Sequence, residues 1–301
     1  EERAAVGTTY KHEGREAAVQ LGLRLIGPKF ETYYISLLAL VKSSEKKPLL
    51  YCWRGGLRSQ IASTLIQWSG LHAHMIFGGY RSFRQWVFPT LAQPRNYIVV
   101  SGHTGTGKTE ILHLLREHNS QVIDLEGLAN HKGSALGALG LPPQPKNEHF
   151  ENLVAMSLFQ CQTQAPVFVE NESRMIGKCA IPQGLWDAMQ LAKHIELDVD
   201  RETRIDRIVG EYGGFPINDL IEQTQKLRKR LGGQHEQAAI EALKNGDIKR
   251  GIEILLVYYD KSYRHFLEKI EIPIQKMTWD WNQKESSLLH LLSLSNHGIT
   301  S

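Results

Sequence analysis

The residues of this sequence best suited to chemistry lie between Gly102 and Thr109, where the pattern G-x-x-x-x-G-K-[ST] is met at every fixed position. Glycines allow the backbone to turn its N–H groups onto phosphate oxygens, and the start of a helix adds partial positive charge. The Lys108 ammonium can reach terminal phosphates, and the Thr109 hydroxyl can bind Mg²⁺. The stretch predicts a phosphate-binding loop (the P-loop), with Thr109 as the metal ligand. Its predicted ligand-binding residues are Gly102, Gly105, Thr106, Gly107, Lys108 and Thr109.

An acidic residue is expected beside such a loop, because a carboxylate at the end of a neighbouring strand commonly holds the metal ion. Glu170 ends a predicted buried strand, and Glu172 follows two residues later. Asp124 ends another predicted strand. The pattern favours Glu170 or Glu172 as the acid and leaves Asp124 open. It also leaves open that these acids merely cap helices or pair with Arg174.

A second reactive group is Cys52, which ends an apolar run and precedes a helix in the stretch Cys-Trp-Arg-Gly-Gly-Leu-Arg-Ser. Backbone N–H groups and a helix N-terminus lower the pKa of a thiol in this setting, and Arg54 and Arg58 can bind an oxyanion. A thiolate of this kind is a nucleophile that carries a chalcogen or a phosphoryl group. We therefore predict that Cys52, Arg54 and Arg58 are catalytic, whereas Cys161 and Cys179 lack such a setting and are predicted to be structural.

Apolar runs and turn residues predict alternating helices and strands, which is typical of an α/β protein with parallel sheets. The segment 93–96 is the best candidate boundary, so two domains are predicted at 1–93 and 94–301. Strands are predicted at 48–51, 73–77, 97–101, 121–124, 167–170 and 194–199. Helices are predicted at 12–26, 31–43, 58–69, 81–92, 108–118 and 146–163. A surface loop is predicted at 129–145, a helical extension at about 201–268, and a strand, turn and helix within 270–294.

The composition is that of a globular, cytoplasmic protein. No apolar run approaches the roughly 20 residues of a membrane span, and the charged start lacks the apolar core of a signal peptide. The chain has only three cysteines, and a small, odd number argues against a disulfide framework. This count favours a reducing compartment. A net charge of +3 is compatible with a nucleic-acid partner but does not require one.

Basic and aromatic side chains of the helical extension are candidates for contact with nucleic acid. Acidic neighbours equally allow the basic residues to form ordinary solvated helix faces, and the tyrosines equally suit a core. The polar loop 130–134 can approach a ligand of the P-loop. The candidates are Arg201, Arg204, Arg207, the run from Lys226 to Arg230, and Tyr258, Tyr259 and Tyr263.

The order of these motifs resembles one family, the tRNA 2-selenouridine synthases, over almost the whole chain. The spacing Cys-x5-Arg is shared by thiol phosphatases and rhodaneses, but its continuation and the later Gly78-Gly79-Tyr80 are more typical of rhodaneses. The segments 124–134 and 169–174 are the less generic parts of the resemblance. The resemblance implies a rhodanese-like parallel-sheet domain, N-terminally incomplete because its usual first strand and helix would precede residue 1, and a P-loop NTPase-like α/β domain with a helical extension.

The resemblance also implies an activity. Members of the family geranylate 2-thiouridine at the tRNA wobble position with geranyl diphosphate, and then replace the geranylthio group with selenium from selenophosphate. By this resemblance the P-loop holds the diphosphate, with Mg²⁺ if a cation accompanies it. Cys52 serves the selenium step, while Arg54 and Arg58 bind selenophosphate or RNA. A selenophosphate-supplying enzyme is an expected partner and a membrane is not.

Three other functions remain open from the residues. One is a rhodanese-type sulfurtransferase fused to a nucleotide hydrolase, without tRNA. Another is a nucleotide-switched RNA-binding protein without catalysis, and the weakest is a thiol phosphatase. Dependence on Cys52 distinguishes the transferases from the switch, and tRNA binding distinguishes the first function from the second.

Overall fold

A computed structural model of the chain describes residues 1–268, 270 and 272–296, and it divides into two compact units, Glu1–Trp86 and Val87–Ser301. Among the described residues, no helix has both the length and the apolar character needed to span a membrane. Each unit is described separately.

The first unit is mostly helical. Its two strands pair in parallel, as predicted, but each has two residues, so a complete rhodanese-like domain stays a prediction. The run 48–51 is apolar enough to suggest a buried strand, and that expectation is wrong: Leu49 is 56% exposed in a sheet of only two strands. The elements are α1 (Glu2–His12), α2 (Gly14–Ile26), α3 (Phe30–Lys42), β1 (Leu49–Leu50), α4 (Leu57–Trp68), β2 (His74–Met75) and α5 (Gly79–Ala92), whose end lies in the second unit.

The second unit begins with the elements that surround the P-loop. They are β3 (Tyr97–Ser101), α6 (Lys108–Glu117), β4 (Gln121–Ile123), α7 (Leu125–Ala129), α8 (Asn147–Gln160), β5 (Val167–Glu170), β6 (Met175–Ile176), β7 (Cys179–Ala180), α9 (Gln183–Gln190) and β8 (Lys193–Asp198). The helical extension follows as α10 (Arg201–Tyr212), α11 (Ile217–Lys226), α12 (Arg228–Leu231), α13 (Gly233–Lys244) and α14 (Ile248–Leu267). The last elements are β9 (Ile274–Thr278), a 3-10 turn (Trp281–Gln283) and α15 (Lys284–Asn296).

Five parallel strands form the sheet of the second unit in the order β4-β5-β3-β8-β9. Central strand β3 is buried along its whole length, as its unbroken apolar sequence predicts for a strand covered on both faces. Helix α6 packs Ile111, Leu112 and Leu115 into the core of this sheet. Because all strands run in one direction, their carboxyl ends meet at one edge, where ligands of open α/β sheets bind.

The helical extension has an apolar core of its own, which includes Ile205, Ile208 and Leu256. Leu136 packs into it and is 5% exposed. The predicted surface loop at 129–145 is therefore wrong at its centre, because this segment buries leucine against the extension. The other predicted strands and helices are found within a few residues of their predicted bounds. The sequence did not predict α1, α7, the hairpin of β6 and β7, or α9. The described part of 270–294 has the predicted strand, turn and helix, while residues 269 and 271 lie outside the described residues.

Candidate active site

The P-loop connects β3 to α6 and is shaped by its glycines. Gly105 and Gly107 have φ angles of +86° and +88°, in the left-handed region that favours glycine. A Cβ atom on Gly102 would lie 2.9 Å from Cγ2 of Thr106, whose side chain is buried at the base of the loop. The Lys108 ammonium donates a hydrogen bond to the Gly102 carbonyl oxygen across 3.1 Å, so the lysine arches back over the loop.

The acid that contacts the P-loop threonine is Glu126, in the first turn of α7. The Thr109 hydroxyl donates to Glu126 Oε2 across 2.8 Å. Glu172 lies beside Glu126 in the wall of the same cavity. Glu170, predicted to face the ligand, instead lies behind this wall: it is 1% exposed, and its Oε1 accepts a 2.7 Å hydrogen bond from the backbone N–H of Glu126. Glu170 thus positions Glu126.

These carboxyl groups hold protons more tightly than exposed acids do. Burial, together with the negative charge of Glu172, raises the pKa of Glu126 to about 8, although Lys108 and Thr109 oppose the rise. Burial also raises the pKa of Glu172, again against Lys108, and raises the pKa of Glu170 well above its usual range. At neutral pH, Glu126 and Glu172 therefore form a proton-holding pair beside the P-loop.

Asp124, left open by the sequence, caps a helix. Its Oδ1 accepts a 2.7 Å hydrogen bond from the Gly127 N–H in the first turn of α7, and its Oδ2 lies 3.2 Å from His113 Nε2. An N-cap carboxylate of this kind satisfies a backbone donor that the helix itself leaves unpaired. The capping alternative is confirmed for Asp124, and the cap fixes the turn from which Glu126 projects.

The loop 130–134 lies against the carboxyl pair, as predicted for a segment near the P-loop ligand. Gly133 has a φ of +63°, and a Cβ atom there would lie 2.4 Å from Glu172 Oε2 and 2.7 Å from Glu126 Oε1. Lys132, next to this glycine, pairs with Glu211 of α10. The loop therefore closes one side of the cavity and requires glycine at its nearest point.

Helix α10 does not present the predicted exposed basic face. Arg204 is buried and makes a two-pronged ion pair with Asp260 at 2.8 and 2.9 Å, while its Nη1 donates to the Thr104 carbonyl oxygen at 3.1 Å. Arg207 lines the cavity and pairs with Glu110. Arg201 remains exposed beside Glu202. Arg204 and Arg207 do share one face of α10, as their helical spacing predicts. The tertiary fold turns this face towards the P-loop rather than towards solvent.

The basic run from Lys226 to Arg230 is likewise not one continuous basic surface. Lys226 pairs with Glu222, Arg228 lies 3.6 Å from Glu236, and Leu227 is buried. Arg230 lines the cavity. This distribution follows from the break between α11 and α12, which sends successive side chains in different directions.

The P-loop, the carboxyl pair, Arg207 and Arg230 border one cavity of about 970 Å³ in the second unit. Its polar end is formed by the P-loop and the carboxyl pair. Its other walls include the apolar and aromatic side chains of Leu227, Tyr258 and Tyr259. Tyr263 lies at the P-loop end, where its ring packs on that of His103. The Tyr259 hydroxyl accepts a 2.7 Å hydrogen bond from the Ala135 N–H, which fixes this ring at the wall. The three tyrosines are partly buried and line the cavity. Their position thus combines features of the two alternatives that the sequence left open, packing in a core and contact with a ligand.

Thr109 and Glu126 suit Mg²⁺ by their chemistry. A hydroxyl and a carboxylate are both hard oxygen ligands, and Mg²⁺ at phosphate sites takes few protein ligands beside water and phosphate oxygens. Within the described residues, no group of three or more His, Cys, Asp or Glu side chains is arranged to hold a metal ion. A cation held by Thr109 and Glu126 would take its remaining ligands from water and phosphate oxygens.

The Cys52 site lies in the first unit, between β1 and α4. Its Sγ accepts hydrogen bonds from the Gly56 N–H at 3.0 Å and from the Ser59 hydroxyl at 3.4 Å. Burial raises the pKa of the thiol, but the hydrogen bond from Ser59 and those from backbone N–H groups outweigh it and lower the pKa to about 7. Arg54 on the same loop and Arg58 in the first turn of α4 are both exposed. This arrangement supports a thiolate at neutral pH.

The turn after β2 closes over this cysteine loop. A Cβ atom on Gly79, whose φ is +67°, would lie 2.1 Å from the Cys52 carbonyl oxygen, and Gly55 packs as closely against Gly78 and Gly79. Glycine is therefore required on both sides of the contact. By contrast, Cys179 is buried, and burial raises the pKa of both Cys161 and Cys179.

Glu126, which lines the cavity, and Trp281, which contacts the P-loop at Gly107, were not predicted as site residues. Glu126 follows the end of the predicted strand 121–124 by two positions, and that spacing is a usable signal for an acid at the strand edge. Trp281 lies far along the chain, and its contact with Gly107 depends on how the final segment returns to the sheet. Sequence spacing carries no signal for that contact.

The fold and the cavity define an α/β phosphate-binding domain of the P-loop class, in a chain that also carries a cysteine-loop unit. Residues 95–284 match the family model described as the tRNA 2-selenouridine synthase AAA domain. The tRNA 2-selenouridine synthase of Shewanella frigidimarina is 34% identical over 89% of this chain and 81% of its own length. That of Pseudomonas fluorescens is 34% identical over 87% of this chain and 80% of its own length. The chain belongs to the tRNA 2-selenouridine synthase family.

Solved structures offer weaker likenesses. A gluconokinase from Sinorhizobium meliloti is 12% identical, covers 68% of this chain and 100% of its own, and has a TM-score of 0.31. A tRNA isopentenylpyrophosphate transferase from Bacillus halodurans is 13% identical over 67% of this chain and 100% of its own, with a TM-score of 0.34. Likenesses at this level are too weak to carry an inference about function.

Proposed function

We propose that this protein makes 2-selenouridine at the wobble position of tRNA in two steps, each served by one of the two sites. In the first, the sulfur of 2-thiouridine displaces diphosphate from geranyl diphosphate held in the P-loop cavity. In the second, selenium from selenophosphate replaces the geranylthio group, with Cys52, Arg54 and Arg58 as the participating residues. The printed names of the curated relatives support an enzyme that acts on tRNA.

The observation that carries the first step is the composite character of the cavity. A prenyl diphosphate has one highly charged end and one apolar chain. The cavity has the P-loop at one end and apolar and aromatic walls elsewhere, including Leu227 and Tyr258. Its volume of about 970 Å³ exceeds what a ten-carbon chain and a diphosphate need, which leaves space for the nucleoside that accepts the chain.

The second step rests on the lowered pKa of the Cys52 thiol, because a thiolate is the nucleophilic form. A selenophosphate-supplying enzyme is a proposed partner, and the cytoplasm is the proposed compartment, since it contains tRNA and keeps thiols reduced. Mg²⁺ is proposed to accompany the diphosphate at Thr109 and Glu126.

The test is mass analysis of nucleosides from 2-thiouridine tRNA incubated with the protein and geranyl diphosphate, with and without selenophosphate. Lys108→Ala should abolish the geranylated nucleoside, and Cys52→Ser should keep it but abolish the selenium product. Lys244→Ala, at an exposed lysine outside the cavity, and Cys161→Ser are the matched controls and should behave like wild type. An unchanged nucleoside pool with wild-type protein would reject the proposal and favour a sulfurtransferase joined to a nucleotide hydrolase.

A further inference from the structure

A second cation, Arg207, lies directly against the P-loop. Its guanidinium carbon is 3.6 Å from the centre of the Trp281 ring. A Cβ atom on Gly107 would lie 2.5 Å from Arg207 Nη2 and 2.4 Å from Trp281 Cζ2. The guanidinium therefore contacts the glycine that immediately precedes Lys108, and all three residues line the cavity.

The position of this guanidinium is fixed from several sides. Trp281 is itself attached to the P-loop, because its Nε1 donates to the Thr106 carbonyl oxygen at 3.2 Å. Glu110 Oε2 accepts a 2.7 Å hydrogen bond from Arg207 Nη2. Stacking and a charged hydrogen bond together orient the plane of a guanidinium, which is pre-organised for two-pronged binding of phosphate.

The charges around Glu110 argue against a purely structural ion pair. Lys284 already pairs with Glu110 Oε1 at 3.0 Å. Arg207 is therefore an additional cation, and the trio of Arg207, Lys284 and Glu110 carries a net positive charge. Deeper in the cavity, the carboxyl pair of Glu126 and Glu172 offsets Lys108. A diphosphate brings two to three negative charges, so one lysine cannot balance it.

We propose that Arg207 is a phosphate-binding residue that contacts the phosphoryl group held by the P-loop, and that Trp281 and Glu110 are its positioning residues. The proposal rests on the proposed function only in taking the ligand to be a diphosphate. Any ligand with a diphosphate group offers the same oxygens to Arg207.

The test is calorimetric binding of inorganic pyrophosphate, with Mg²⁺, to the full-length chain. Arg207→Gln should weaken binding about tenfold to hundredfold, the range of a lost charge-assisted hydrogen bond. Arg207→Lys keeps the charge but loses the stacked fork, so it should fall between Gln and wild type. Arg201→Gln, which removes an exposed arginine of the same helix, should bind like wild type.

The positioning role of Trp281 has its own readout. Trp281→Phe keeps an aromatic face beneath the guanidinium, whereas Trp281→Leu removes it. We expect the KM for geranyl diphosphate to rise more in Trp281→Leu than in Trp281→Phe, with the KM for tRNA unchanged in both. Equal effects of the two variants on both KM values would overturn the positioning role.

If Arg207→Gln binds pyrophosphate as tightly as wild type does, the proposal is overturned. Arg207 would then serve only as a link between α10 and α6. Arg207→Lys guards against misfolding, because its unfolding temperature should match that of wild type while its affinity does not. The proposed function fails separately if wild type binds pyrophosphate and nucleotides but never geranylates tRNA. In that case Arg207→Gln should still weaken pyrophosphate binding.

Discussion

Replacing Glu126 with glutamine should make the second unit more stable at alkaline pH, even though it removes a group from the candidate site. Glu126 is 8% exposed, and burial raises its pKa to about 8. In the unfolded chain the same carboxyl group has a pKa near 4.5. Glutamine is the closest neutral substitute for the protonated acid, so the variant removes the cost of ionising a carboxyl group in the cavity wall.

The sign follows from proton binding. Between pH 4.5 and about 8 the folded state holds a proton that the unfolded state has released, so stability is greatest at the acidic end and falls as pH rises. Each tenfold change in proton affinity is worth about 1.4 kcal/mol, so a rise from 4.5 to about 8 sets a ceiling of about 5 kcal/mol. Water entering the cavity relaxes part of this cost, and we expect a gain of about 2 kcal/mol at pH 8 and little change at pH 5.

Hydrogen exchange measured by mass spectrometry suits a chain of two units, because the buried amides of β3 and β5 report on the second unit alone. Their protection, corrected for intrinsic exchange rates, should fall from pH 5 to pH 8 in wild type and fall less steeply in Glu126→Gln, in which only Glu170 and Glu172 keep raised pKa values. Glu241→Gln, an exposed change on α13, is the matched control and should follow wild type. A wild-type profile without this slope, or one that Glu126→Gln leaves unchanged, would refute the reasoning.

Three further outcomes follow from the geometry. The alkylation rate of Cys52 by iodoacetamide should rise with pH around a midpoint near 7. Ser59→Ala should move that midpoint to higher pH, because it removes a hydrogen bond to the thiolate. An unmoved midpoint would contradict this role of Ser59. Gly107→Ala should reduce pyrophosphate affinity at least about tenfold, since the added Cβ meets a tryptophan ring at a φ of +88°, whereas Gly210→Ala has open space around it and should bind normally. Thr109→Val should remove the part of pyrophosphate affinity that Mg²⁺ adds, and calorimetry with and without Mg²⁺ measures it; a full Mg²⁺ effect in the variant would exclude Thr109 as a ligand.

The regular part of the second unit could be predicted from sequence because local signals agree there. The unbroken apolar run of β3 followed by the glycine pattern of the P-loop predicts a buried parallel strand, a turn and a helix, and all three are found. The first unit was harder to predict. The run 48–51 is as apolar as a buried strand, but how far it is covered depends on its neighbours in space and not on the run itself.

The candidate site divides in a similar way. Lys108 and Thr109 follow from the motif, because the backbone geometry of the loop is local. The partner acid does not, since Glu126 and Glu170 both stand near strand ends. Only the tertiary fold decides that Glu126 accepts from Thr109 while Glu170 accepts from the backbone of Glu126. Arg204 and Arg207 share one helix face, yet one is buried in an ion pair with Asp260 and the other borders the cavity, a difference of tertiary packing.

The contacts that tie α10 to the P-loop explain why the helical extension belongs to the candidate site. Arg204 binds the Thr104 carbonyl oxygen and Asp260 of α14 at once, so the loop, α10 and α14 are held as one network. Asp260 is also 3.2 Å from His103 Nδ1, a second link to the same loop. The aromatic wall of the cavity comes from α14, immediately beside Asp260. One network of contacts therefore holds both the phosphate-binding loop and the apolar wall at Tyr258 and Tyr259. A ligand with both a diphosphate and an apolar chain would contact both ends of this network.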